Sequence, residues 1–131
     1  MIFPIKGKSQ CKDFAGEVCK EELAPYTLRG NYDAAILTEG ETVELHKTFY
    51  ANENYRIYIC ESAVIPKIRF QVMDDSRNVI YDNKHDGYKT KWDFAPESTE
   101  ELIISLKADN FQKDGEDPAS GCIAVMVGIK D

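Results

Sequence analysis

Four cysteines, Cys11, Cys19, Cys60 and Cys122, are the residues of this 131-residue chain that bear most directly on chemistry. A zinc site needs Cys or His ligands clustered two to four positions apart, about the spacing of known fingers. Cys11 and Cys19 lie eight positions apart, and the two histidines, His46 and His85, stand alone. Dithiol redox chemistry needs Cys-x-x-Cys or an activated thiolate, and neither is present. A structural role remains, and an even cysteine count in a small acidic chain points to an oxidising compartment. A continuous helix through Cys11 and Cys19 would separate them by about 12 Å, beyond the roughly 7 Å that a disulfide spans. Cys60 ends YRIYIC and Cys122 opens GCIAVMVGI, each in the phase opposite to its strand's apolar set. On antiparallel neighbouring strands the two would share a face. The strand phases favour Cys60–Cys122 with Cys11–Cys19. The competing arrangement bonds the N-terminal cysteines to Cys60 and Cys122 and ties that segment to the sheet. Free buried thiols are the third alternative.

Other polar and aromatic groups have weaker chemical readings. Asp109, Asp114, Glu116 and Asp117 offer hard oxygen ligands but lack the EF-hand spacing, so a solvated acidic loop is expected. Tyr81, Tyr88 and Trp92 cluster near one predicted turn, and exposed together they would form a platform for stacking on sugar rings. The competing reading is burial, since large aromatics usually serve the core. His85 lies between Asp82 and Asp86, but no nucleophile motif accompanies it, so it reads as a surface turn residue. Asp74 and Asp75 read as turn formers that bond local amides. The chain contains no Gly-rich phosphate loop, no G-x-S-x-G and no H-E-x-x-H, so no catalytic residue, metal site or cofactor is expected.

The elements that would position these groups are mostly strands. From Glu41 onward, apolar and polar residues alternate with the period of half-buried strands. Val43, Leu45 and Phe49 share one phase, followed by Tyr55, Ile57 and Ile59, then Ile68, Phe70 and Val72. A turn over 74–78 leads to a return strand from Val79 to Tyr81. A second turn over 82–87 leads to Tyr88, Thr90, Trp92 and Phe94 in one phase. Leu102, Ile104 and Leu106 mark another strand, and Ile123, Val125, Val127 and Ile129 the last. A weaker strand runs through Ala34 to Leu37. In the first quarter, Cys11, Phe14, Ala15, Val18 and Cys19 follow helical spacing, with Ser9 as N-cap, and Pro25 ends the segment. This predicts a helix over about 10–23 and a sandwich over about 34–131 within a single domain, 1–131. The fold class is all-β: an antiparallel, jelly-roll-like β-sandwich of seven or eight strands with a short N-terminal helix.

Composition narrows the partners. The net charge of −7 opposes nucleic-acid binding, which rests on cations neutralising phosphates. No apolar run approaches the roughly 18 residues of a membrane span. The opening MIFPIKGK is too short for a signal peptide's apolar region, so export would require a leader already removed. The series CKDFAGEVC, LTEGETVEL, FYANENYRIYIC, IRFQVMDDSRNVIYDN, WDF, STEELIISL and GCIAVMVGIK, spanning Cys11 to Lys130, resembles an uncharacterised family of small exported bacterial β-sandwich proteins. Its order is also similar to pre-peptidase C-terminal and GOLD-type modules. The resemblance implies a periplasmic or secreted location and carries over no catalytic residues. The expected role is a non-catalytic protein-interaction or structural module, with contacts in the loops around 82–88 and 109–118. The alternative is a carbohydrate-binding module using Tyr81, Tyr88 and Trp92. The expected partner is accordingly a protein or a cell-surface glycan.

Overall fold

The computed structural model describes residues 11, 16, 19–30, 32–61, 67–108 and 120–131. Among these residues nine strands form two antiparallel sheets. The strands are β1 (Thr27–Leu28), β2 (Asp33–Thr38), β3 (Thr42–Phe49), β4 (Asn54–Glu61), β5 (Ile68–Met73), β6 (Val79–Asp82), β7 (Lys91–Phe94), β8 (Glu100–Ala108) and β9 (Ser120–Lys130). In the first sheet, β1 and β2 pair in tandem along one side of β9, followed by β4 and β7. The second runs β3-β8-β5-β6.

The period-2 alternation sets which faces meet. Tyr55, Ile57 and Ile59 of β4 stand opposite Ile129, Val127 and Val125 of β9. Val43 and Leu45 of β3 stand opposite Leu106 and Ile104 of β8. These inward sets interdigitate with Phe49, Ile68, Phe70 and Val72 as the main core, the arrangement expected of aligned sheets about 10 Å apart. The Ala34–Leu37 strand expected from sequence lies within β2. Half of the expected 10–23 helix falls outside the described residues. Its described end is a 3-10 helix over Lys20–Leu23, and helical backbone also occurs at Cys11, Gly16 and Cys19.

The preferred cysteine pairing is corrected by the structure. Disulfides join Cys11 to Cys122 and Cys19 to Cys60, with Cα separations of 5.2 and 6.0 Å. Cys60 and Cys122 do lie on antiparallel neighbours and share the outer face of the first sheet, but Cys60 stands opposite Ala124, two residues past Cys122. Such diagonal neighbours are about 7 Å apart, too far for a disulfide, whose Cβ atoms approach to about 4 Å. Each strand cysteine instead takes a cysteine from the segment lying above it.

That segment forms a second small core. Cys11, Cys19 and Leu23 bury against Ala34, Cys60, Ala124 and Met126 on the sheet's outer face. Gly128 permits the close approach: a Cβ there would lie 2.7 Å from Tyr26 Cβ. Arg56 holds the segment's exit, donating to Ala24 O at 3.2 Å and lying 4.4 Å over the Tyr26 ring. Arg56 also grips Asp93 through two hydrogen bonds of 2.7 and 2.9 Å, which hold the Asp93 carboxyl below its ordinary range.

The two lateral sides of the sandwich are closed differently. On the β6–β7 side, Tyr81 stacks on Trp92 with centroids 5.0 Å apart, and Trp92 on Phe94 at 4.4 Å. On the β2–β3 side, Lys47 and Asp33 face each other at 2.6 Å. Lys47 shares the inward phase of Val43, Leu45 and Phe49, so a charge occupies a core position of an edge strand. Glu61, at the end of β4, also takes the inward phase, opposite Ile123. Its Oε2 is buried without a hydrogen-bond partner among the described residues, and burial pushes its carboxyl up to about 7.

Two outcomes follow. Trypsin separates the four cysteines into four peptides, so non-reducing peptide mapping will recover the Cys11–Cys122 and Cys19–Cys60 pairs. A Cys60–Cys122 pair would contradict the structure. Because Glu61 binds its proton more tightly folded than unfolded, the wild type loses stability as pH rises from about 4.5 to about 7. Glu61→Gln removes that decline, and denaturant titration at pH 8 will show the variant more stable by on the order of 2 kcal/mol.

Candidate functional site: an exposed edge strand and its flanking turn

Among the described residues, β6 is the edge strand of the second sheet and pairs only with β5. Its register slips between Val72 and Met73: Tyr81 stands opposite Val72, while Val79 stands opposite Met73. Ile80 is therefore the extra residue of a β-bulge. A bulge breaks the in–out alternation and re-aims side chains, and here Val79 and Ile80 are 54% and 47% exposed in succession. Two adjacent apolar side chains on an unpaired edge are an uncommon surface feature, because such edges invite pairing with another chain. The sequence placed Val79 and Ile80 in a strand but did not mark them as a surface. The signal was the pair itself, which breaks the alternation in a strand of only four residues, VIYD.

The turn after β6 is built rigidly. Asp82 caps a 3-10 helix over Asn83–Asp86 by accepting from Lys84 N at 3.0 Å. It also accepts from Arg69 Nη2 at 2.6 Å and Gln71 Nε2 at 3.1 Å. The Arg69 hydrogen bonds are the largest cause of the fall in its carboxyl pKa to about 2. Asn83 is fully buried, and its amide replaces a strand neighbour. Asn83 Oδ1 accepts from Phe70 N at 2.8 Å, and Nδ2 donates to Ile68 O and Lys89 O at 2.9 Å each. Tyr81 donates its hydroxyl to Asp86 at 3.0 Å, and burial, aided by that bond, pushes its pKa up to about 12. On the other flank, Asp74 Oδ1 accepts from Ser76 N and Asn78 N at 2.9 and 2.8 Å, the expected turn-forming role. Arg77 reaches across the sheet to grip Glu44 at 2.9 and 3.0 Å.

The expected sugar platform is not assembled. Tyr81 and Trp92 stack on each other and on core neighbours, so their faces serve the sandwich's closure. Trp92 is half-buried rather than fully enclosed. Tyr88 does not share their strand: it follows Gly87 in a left-handed turn, with φ of 58° and 67° respectively, and the Lys67 ammonium lies 5.2 Å over its ring. The reason is local. A left-handed pair ends the 3-10 helix and delays β7 to Lys91, so the alternation read from Tyr88 is not strand.

The remaining candidates also separate. His85 is 80% exposed and 3.9 Å from Asp82, whose carboxylate Arg69 already holds. His46 lies 3.1 Å from Glu101 on the outer face of the second sheet. Asp109, Asp114, Glu116 and Asp117 lie outside the described residues. Among the described residues, no cluster of three or more His, Cys, Asp or Glu side chains could hold a metal ion. No described helix is long and apolar enough to cross a membrane.

By class, this is a two-sheet antiparallel sandwich with an apolar edge and disulfide-bound cysteines. No family model matches the chain, and no curated protein matches it. The likeness to pre-peptidase C-terminal and GOLD-type modules thus rests on the motifs alone. Among solved structures it is similar to Aeromonas hydrophila PliG, a periplasmic lysozyme inhibitor of g-type lysozyme. The TM-score is 0.55 and the identity 15%, covering 76% of this chain and 85% of that one. The two chains share a fold.

The Asn83 and Asp82 roles predict separable effects. Asn83→Leu removes the side-chain partner of the buried Phe70 amide and Ile68 carbonyl, and of the part-buried Lys89 carbonyl, and will cost about 3 kcal/mol in denaturant titration. Asp82→Asn keeps the cap but loses the Arg69 pair. Asp82 has a lowered folded pKa, so its contribution is full above about pH 4 and fades as pH falls towards 2. The wild type will exceed Asp82→Asn by roughly 1–2 kcal/mol at pH 6, and the gap will close near pH 2.

Proposed function

We propose that the protein is an exported, non-catalytic module that binds another protein along the β6 edge. The observation that carries this reading is the bulged, unpaired strand presenting Val79 and Ile80. Strand edges recognise partners by main-chain pairing supported by side-chain contacts. The bulge supplies such contacts, and the Asp82–Asn83 and Asp74 networks fix its two ends. Export is supported by the two disulfides, which persist in oxidising compartments, and by the fold shared with a periplasmic protein. The shared fold also makes a lysozyme the first partner to test, with the solved structure's g-type enzyme as the starting case.

The experiment titrates purified g-type lysozyme with the protein and reads residual lytic activity. We expect dose-dependent loss with the wild type, abolished by Val79→Lys combined with Ile80→Glu. Both residues are exposed, so the double variant retains its fold, which thermal melting verifies. A flat activity curve with the wild type would reject the lysozyme partner. Equal inhibition by wild type and double variant would reject the β6 edge as the contact.

A further inference from the structure

The side of the sandwich opposite β6 holds a furrow between the two sheets, unrelated to the edge-strand reading. Its apolar part is a cavity of about 240 Å³ bounded by Val43, Leu45 and Leu106 from one sheet and Ala35, Ile123 and Val125 from the other. The space arises from β2, whose inward residue opposite Ile123 is only an alanine. An apolar cavity of about 150 Å³ is known to hold a six-carbon ring, so this one takes a hydrocarbon of about eight to ten carbons by proportion.

The furrow has a polar end. Following β3, the inward residues after Val43 and Leu45 are Lys47 and Phe49, and Lys47 meets Asp33 at 2.6 Å. A second hollow of about 90 Å³ is lined by the next residues along the same strands, Lys47 and Phe49 after Leu45 and Val127 after Val125, together with Arg29. Arg29 is exposed and forms no ion pair among the described residues. Arg29 and Lys47 line the second hollow and Asp33 the first, so two cations and one carboxylate line the furrow in a chain of net charge −7. Lys47 lies two residues along the strand from Leu45, about 7 Å, which is the reach of a short alkyl chain.

We propose that this furrow binds a carboxylate-ended amphiphile, with its hydrocarbon between the sheets and its carboxylate on Lys47 and Arg29. The charge surplus selects an anionic head over a cationic one, and the cavity size selects a medium chain over a long one.

The test follows amide chemical shifts of the protein during titration with octanoate, octan-1-ol and octylammonium. We expect saturable shifts at Ala35, Val43, Leu45 and Val125 with octanoate. The alcohol will bind about tenfold more weakly, the scale of one charge-assisted hydrogen bond, and the ammonium more weakly still. Arg29→Gln will bring octanoate down towards the alcohol while leaving the alcohol unchanged. Ala35→Leu, which fills the cavity, will abolish both. Absence of saturable shifts overturns the site. Unchanged octanoate binding in a folded Ala35→Leu variant also overturns it. Equal binding of acid and alcohol, or an Arg29→Gln variant with unaltered octanoate affinity, overturns the assigned head group. Arg29 is exposed, so that variant gives a reading even if Ala35→Leu fails to fold.

Discussion

The structure depends on the covalent attachment of the N-terminal segment to the outer face of the first sheet. That face carries Ala34, Ala124, Met126, Tyr58 and the two strand cysteines, a surface too apolar to leave in water. Of the segment above it, the described run between Cys19 and the turn at Pro25 is a four-residue 3-10 helix. So short a helix has no stability of its own, because the nucleation cost of its first turn is never recovered. Two disulfides closing sequence separations of 111 and 41 residues contribute about 5 and about 4 kcal/mol by restricting the unfolded chain. They hold the cover in place, and Leu23, Tyr26 and Arg56 then complete the packing.

With one sheet face covered, the sandwich's lateral sides decide what the surface can do. The Tyr81–Trp92–Phe94 stack shuts one side with three rings, while the Lys47–Asp33 ion pair spans the other. The rings that could have faced a ligand are spent on closure. The apolar groups left on that flank are instead Val79 and Ile80, displaced outward by the bulge. Asn83 makes this possible: its amide satisfies backbone groups of Ile68, Phe70 and Lys89, so β5 ends without a longer partner strand and β6 can stop after four residues.

The patterning of apolar residues and turn clusters was sufficient to read eight of the nine described strands and nearly all of the main core, because a half-buried strand has no other way to bury its side chains. β1 was hidden because two residues carry no period. The cysteine pairing was hidden because strand phase places two cysteines on one face but leaves their register offset by two unknown. Tyr88 was misplaced because polar turn chemistry in DNKHDG overrode a fortuitous alternation. The candidate site was legible only as an irregularity. Val79-Ile80 departs from period 2, as does Lys47 from its apolar phase, and each departure is visible in sequence without its meaning.

Lys47 and Asp33 have one further consequence. They place inward-pointing charges on the facing edge strands β3 and β2, a device that discourages strands of other molecules from adding there. The β6 edge carries no inward charge and is limited instead by its four-residue length and its bulge. With the opposite flank guarded by charge, the contact proposed at β6 would join a partner once and would not be passed on. Association at the proposed β6 contact would therefore close as a discrete complex, whereas a sandwich with two receptive flanks would propagate head to tail into fibres.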